Sequence, residues 1–210
     1  MGWLENVIIE DKELENERLE LTDKDSLYFL GPNLTLRHCT VVLKVPARRL
    51  HILGVRFIDC TIEVKQELKN HQEWICASLE GCRFKGRFSG CDFGHWPEYL
   101  DEPAYQLGSI KDCDFSEARL DGCRIMGSDP STLRFPKWPC FTILDPIGRA
   151  HELNSVQWPG DFRPSYVEGR YKDPPSTRAV TFYTPALAMR RETTEEAFRS
   201  VIEKFDCIVY

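Results

Sequence analysis

Residues 106–125 of this 210-residue chain read as four consecutive units of five, QLGSI, KDCDF, SEARL and DGCRI. Each places a small residue two positions before a large apolar one: Gly108 and Ile110, Cys113 and Phe115, Ala118 and Leu120, Cys123 and Ile125. Helical faces recur about every 3.6 residues and strand faces every 2, so a chain keeping a period of five must turn a corner in every unit. The spacing predicts a coil of four short sides stacked on itself.

A coil of four units brings the same column back after about twenty residues, and echoes occur upstream at that distance. Leu19 and Leu21, Cys39 and Val41, Cys60 and Ile62, and Cys82 and Phe84 follow one another at 20, 21 and 22 residues. Leu34 and Leu36 recur as Val55 and Phe57, as Ala77 and Leu79 and, after 41 residues read as two coils, as Ala118 and Leu120. Phe93 and Phe115, 22 apart, make a third column. Units of five also occur locally at Leu50 and Ile52, Val55 and Phe57, and Cys60 and Ile62.

This pattern resembles the pentapeptide-repeat family, over roughly residues 19–125 and most closely over the last twenty. The resemblance implies a mainly β protein, a right-handed quadrilateral β-helix in which the small and the large residue of each unit point into a narrow interior. Ser109, Asp114, Arg119 and Arg124 would then face solvent. The extra one or two residues per upstream coil depart from the family pattern and imply bulged corners. An antiparallel β-sandwich with evenly spaced strands is the alternative, and the scarcity of two-residue hairpin signals weighs against it.

The period stops at residue 125. Residues 126–210 hold nine of the thirteen prolines and twelve of the twenty-four aromatic residues, a composition that forbids long regular elements and predicts a capping segment of short strands and turns. FTIL and AVTFY are the expected strands. Thr193 and Glu196 form a capping box that opens a helix over about 194–204, with Ala197, Val201 and Phe205 on one stripe beside Phe198 and Ile202. DCIVY closes as a strand. The organisation expected is 1–125, a repeat body with an acidic start, and 126–210, a cap over an otherwise open coil end.

Nine cysteines, an odd number with no Cys-x-x-Cys, read as small apolar filler in a reducing cytoplasm rather than as disulfide or metal ligands. Cys39, Cys60, Cys82, Cys91, Cys113 and Cys123 fit the small inward positions. No export signal or apolar run of about eighteen residues is present, so a cytoplasmic chain with no membrane span is expected. Residues 1–30 hold nine of the 33 acidic and three of the 27 basic side chains, which leaves 24 of each elsewhere. The net charge of −6 therefore resides in the first thirty residues. With a pI near 5.5 and no long basic run, direct nucleic-acid binding is not expected, and Arg83, Lys85 and Arg87 read as a solvated face.

Neither a zincin spacing around His151 and Glu152, a nucleophile elbow nor a phosphate-cradling glycine loop occurs, so no enzyme activity, metal or cofactor is expected. A hydrolase or transferase in the proline-rich part would need Asp145, His151, Glu152 or Asp161 to cluster. Two segments interrupt the coil, 63–74, with the polarity of a protruding loop or a short helix, and 95–106, acidic, aromatic and twice punctuated by proline. In the second, Trp96, Tyr99 and Tyr105 beside Glu98, Asp101 and Glu102 form a candidate surface for a basic partner, unless the aromatics fold back to cap the coil. The acidic start, Glu13, Glu15 and Glu17 included, is a second candidate. The expected function is non-enzymatic protein binding, as a bacterial immunity or antitoxin protein neutralising a basic toxin domain. The resemblance offers an alternative, topoisomerase inhibition by mimicry of DNA, for which a body of balanced charge is poorly suited. The apolar C-terminal strand or an uncovered end of the coil leaves a homodimer open.

Overall fold

The computed structural model describes residues 5–98, 103–170 and 172–210, without the side chain of Tyr105. The chain forms a β-solenoid closed by a small antiparallel cap. Its first coil is β1 (Glu5–Ile9), β2 (Lys12–Glu15) and β3 (Arg18–Leu21), and its second is β4 (Ser26–Leu30), β5 (Leu34–Arg37) and β6 (Thr40–Leu43). The third is β7 (Leu50–Ile52), β8 (Val55–Ile58), β9 (Thr61–Val64) and β10 (Leu68–Lys69). A 3-10 turn (Glu73–Cys76) opens the fourth, followed by β11 (Ala77–Glu80) and β12 (Arg83–Ser89). The fifth contains β13 (Asp92–Gly94), β14 (Ser109–Lys111) and β15 (Asp114–Asp121), and β16 (Cys123–Met126) begins a further turn.

Neighbouring coils pair in parallel, and the path β14-β11-β8-β5-β2 is five strands deep, so four full turns separate its ends. A fourth side becomes a strand only from the third coil, where β10 pairs with the second half of β12. Gly86, at φ 104°, is where β12 changes sides, and a Cβ there would lie 2.1 Å from the Val64 carbonyl oxygen. The residue-109–126 stretch goes once around these four sides, which is the coil that the five-residue period describes.

Three column assignments shift in register. Leu19, not Leu21, stands opposite Val41, and the column continues through Ile62 and Phe84. Leu79 is followed by Ile110, whereas Ala118 and Leu120 pair with Gly86 and Phe88. Phe93 pairs with Ile125 rather than with Phe115. The cause of the last two is the insertion between β13 and β14: it lengthens the step from Arg83 to its partner Asp114 to 31 residues, so a 41-residue gap is not two coils. Phe93 and Phe115 nevertheless touch across the interior, with ring centroids 5.3 Å apart.

The corners carry a signature of their own. Asn16, His38, Asp59, Gly81 and Asp112 occupy the same corner of successive coils, all at φ between 52° and 64°. Asn, Asp and Gly tolerate this left-handed backbone best. The next position inward is Cys39, Cys60, Cys82 and Cys113, each buried, with Cys60 Sγ donating to the Leu36 carbonyl at 3.3 Å and Cys82 Sγ to that of Phe57 at 3.4 Å. A hydrogen bond to Cys82, together with burial, pushes the Cys60 thiol up, which suits a packing role. At Gly108 the small residue is obligatory, since a Cβ would meet the carbonyl oxygens of Ile75 and Gly94 at 2.1 and 2.2 Å.

The 63–74 segment does not protrude. It supplies β10 and the turn that brings Trp74 into the centre of the coil, where its ring lies 5.8–6.1 Å from Phe57, Phe84 and Phe93. Its apolar residues Val64, Leu68 and Trp74 are buried, so their burial outweighs the polarity of the residues between them.

The cap contains β17 (Cys140–Leu144), α1 (Ala150–Leu153), β18 (Thr177–Tyr183), α2 (Thr184–Arg190), α3 (Glu195–Ile202) and β19 (Ile208–Val209). Strand β18 pairs antiparallel with both β16 and β17, which continues the solenoid sheet into the cap and covers that edge. The N-cap of α3 is Thr194, accepting from the Ala197 N–H at 3.2 Å, one residue later than the Thr193 box predicts. Helix α3 buries Phe198, Val201 and Ile202. Helix α2, which follows β18 without a loop, is not foreseen by the sequence pattern. No helix among the described residues is long and apolar enough to cross a membrane.

Candidate functional site

The cap covers one end of the solenoid, and the first coil forms the other. Strands β1, β2 and β3 each pair on one side only, with β4, β5 and β6, so three backbone edges are unsatisfied by the described residues. Val7, Ile9, Leu14 and Leu19 are half-buried and pack down onto the core. Around this apolar floor stand exposed carboxylates, because the chain's alternation places Glu13 and Glu15 outward on β2 and Glu20 outward on β3. Glu5 and Glu10 complete the rim.

Of the three residues expected there, Glu13 binds Arg37 of the next coil, and that bond raises the Arg37 guanidinium above its ordinary range. Glu15 and Glu17 have no cation within 4 Å among the described residues. Glu17 holds the register of the cysteine column, opposite Cys39, yet is exposed because no strand among the described residues pairs beyond it. Asp23, in the turn that ends this coil, is held below the usual carboxylate range by the Asp25 N–H and then the Ser26 hydroxyl.

In the 95–106 segment, Trp96 takes the second of the two expected arrangements and folds back. Trp96 is not an exposed anchor: it is 8% exposed, packs with Ile75, Cys76 and Met126, and carries the Arg124 guanidinium 5.2 Å above its ring. Folding back satisfies more apolar area than projecting the indole into water. Glu98 Oε1 accepts the Ser176 N–H at 2.7 Å, tying this segment to the cap. Tyr99, Asp101 and Glu102, and the side chain of Tyr105, lie outside the described residues. The structure thus brings Glu13, Glu15 and Glu17 together at one end and places Trp96 and Glu98 in a structural junction elsewhere.

Two ion pairs that the period does not reveal hold this region together, one between successive coils and one from cap to coil. Arg124 reaches Asp92 through two bonds of 2.6 and 2.8 Å, and Asp92 is 1% exposed. Arg190 of α2 reaches Asp121 at 2.6 and 3.1 Å. Arg124 is accordingly half-buried instead of solvent-facing. Arg83 and Lys85 do lie on the outer face, both near Glu117. Asp145, Glu152 and Asp161 each bind within their own turn, to the Gly148 N–H, Arg149 and Gln157. No group of three or more His, Cys, Asp or Glu that could hold a metal ion occurs among the described residues.

Compared with protein-family models, with curated proteins and with solved structures, the chain matches none.

Proposed function

We propose that this chain is an irregular pentapeptide-repeat protein that works as a non-enzymatic protein-binding scaffold, in the manner of a bacterial immunity or antitoxin protein, acting in the cytoplasm. The observation that carries the reading is the first coil: an apolar floor of Val7, Ile9, Leu14 and Leu19, rimmed by carboxylates and bounded by three open strand edges. Specific interfaces have this anatomy, an apolar centre within a polar rim, and strand edges add main-chain hydrogen bonds. Glu15 and Glu17, with no cation within 4 Å among the described residues, favour a basic partner and accelerate its encounter. A toxin domain that acts on nucleic acid or nucleotides has the complementary charge.

DNA mimicry finds less support, because carboxylates on the later coils sit beside cations, Glu63 with Lys65, Glu67 with Lys69 and Glu117 with Lys85. Such pairing leaves no continuous negative rod. The test is co-expression with the product of an adjoining growth-inhibitory reading frame. Rescue of growth and a 1:1 complex that the Glu13→Gln, Glu15→Gln, Glu17→Gln triple variant weakens are expected. Absence of both rescue and complex would overturn the reading.

A further inference from the structure

A cleft of about 650 Å³ lies where the last coils meet the cap, between the Asp92–Arg124 pair, β18, the end of α2 and the irregular chain after Phe162. Its size is that of a small-molecule site. Four arginines line it, Arg124, Arg163, Arg190 and Arg191, against two acidic residues, Asp92 and Asp173. In a chain of net charge −6 this is a concentrated positive spot.

The four arginines differ in what already neutralises them. Asp92 clamps Arg124, and Asp121, just outside the cleft, clamps Arg190. No carboxylate among the described residues lies within 4 Å of Arg163 or Arg191. Arg191 instead rests on the Phe162 ring, 5.8 Å from its centroid, so its position is fixed by stacking while its charge is left uncompensated. Phe162, Tyr166 and Phe182 give the cleft an aromatic wall. The chain closing it is pinched by reciprocal bonds, Tyr166 N–H to Asp173 Oδ2 at 2.9 Å and Asp173 N–H to the Tyr166 carbonyl at 2.6 Å.

We propose that this cleft binds a small phosphate monoester with a flat aromatic body, the chemistry of a nucleoside monophosphate. Arg163 and Arg191, less the single charge of Asp173, leave the cleft net positive, and the guanidinium fork suits the oxygens of a phosphate monoester. The aromatic wall receives the base. This site is independent of the acidic first coil, at the opposite end of the solenoid.

Isothermal titration with adenosine 5′-monophosphate, adenosine and inorganic phosphate tests it on the full chain. The nucleotide is expected to bind at least about tenfold more tightly than either fragment, and the Arg163→Gln, Arg191→Gln double variant to weaken it about tenfold or more. An Arg56→Gln, Arg87→Gln variant, with the same charge change on the exposed outer face, should bind as the parent does, and thermal melting of both variants checks that each is folded. Binding no tighter than that of inorganic phosphate, or unaffected by the Arg163 and Arg191 changes in a folded variant, overturns the proposal.

Discussion

His71 makes the stability of this protein depend on pH in a way the structure quantifies. Its ring lies inside the coil, 3% exposed and edge-on to Trp74 at 5.6 Å, with Nε2 lacking a hydrogen-bond partner among the described residues. Burial, and to a smaller degree the positive field of His51, pushes the imidazole down from 6.5 to about 3. His51 itself sits against Glu73, with Nδ1 and Oε1 3.1 Å apart, so that nearby carboxylate is already engaged. The unfolded chain therefore takes up a proton near pH 6.5 that the folded chain refuses until about pH 3. Stability from the neutral ring is full above 6.5 and is lost progressively as pH falls towards 3. At 1.36 kcal/mol per unit, the loss from this one group is about 2 kcal/mol between pH 7.5 and 5.0 and approaches roughly 5 kcal/mol at the lower limit. Urea unfolding of the parent and of His71→Phe at both pH values isolates it, since the remaining titrating groups are common to both. The parent should lose about 2 kcal/mol more than the variant over that interval. Equal losses would refute the buried neutral histidine, as would a His71 ring proton that titrates near pH 6 by NMR in the folded protein.

The two kinds of ion pair should separate cleanly in stability. Asp92→Asn leaves Arg124 half-buried without its carboxylate and should cost about 3–5 kcal/mol, whereas Glu117→Gln, at a solvated pair with Lys85, should cost no more than about 1 kcal/mol; denaturant midpoints check both. At the start of α3, Thr194→Ala should cost about 1 kcal/mol and Thr193→Ala close to nothing, which the same melts would show.

The legible part of the fold is the part where one physical constraint acts on neighbouring residues. Between Gly108 and Ile125 the chain circles the solenoid without interruption, so interior size dictates both the small and the large residue of every unit and the period emerges. Upstream, side four is a turn in the first two coils, so those coils keep a length near twenty but lose the five-residue units. The register slip at Leu19 arises because both Leu19 and Leu21 are apolar, and only hydrogen bonding selects between them. A better signal lay beside the cysteines: His38, Asp59, Gly81 and Asp112 precede Cys39, Cys60, Cys82 and Cys113, and this pair of corner and filler fixes the coil directly. The insertion at 95–106 hid the remaining register, since nothing local tells how many residues leave the coil.

At the sites, charge was legible and burial was not. Glu13 and Glu15 are exposed because β2 alternates, and Glu17 because no strand among the described residues pairs beyond it. Trp96 has the composition of an interface anchor, but its fate depends on Ile75, Cys76 and Met126, which are distant in sequence. The Arg163 and Arg191 cleft depends on the cap docking against β16, a contact between segments with no shared pattern.

Hydrogen exchange of the chain with and without its co-expressed basic partner addresses the central claim. Partner binding should slow exchange at the edge amides of β1, β2 and β3, residues 5–21, and leave the amides of the cap unchanged. Protection confined to residues outside the first coil would contradict the account.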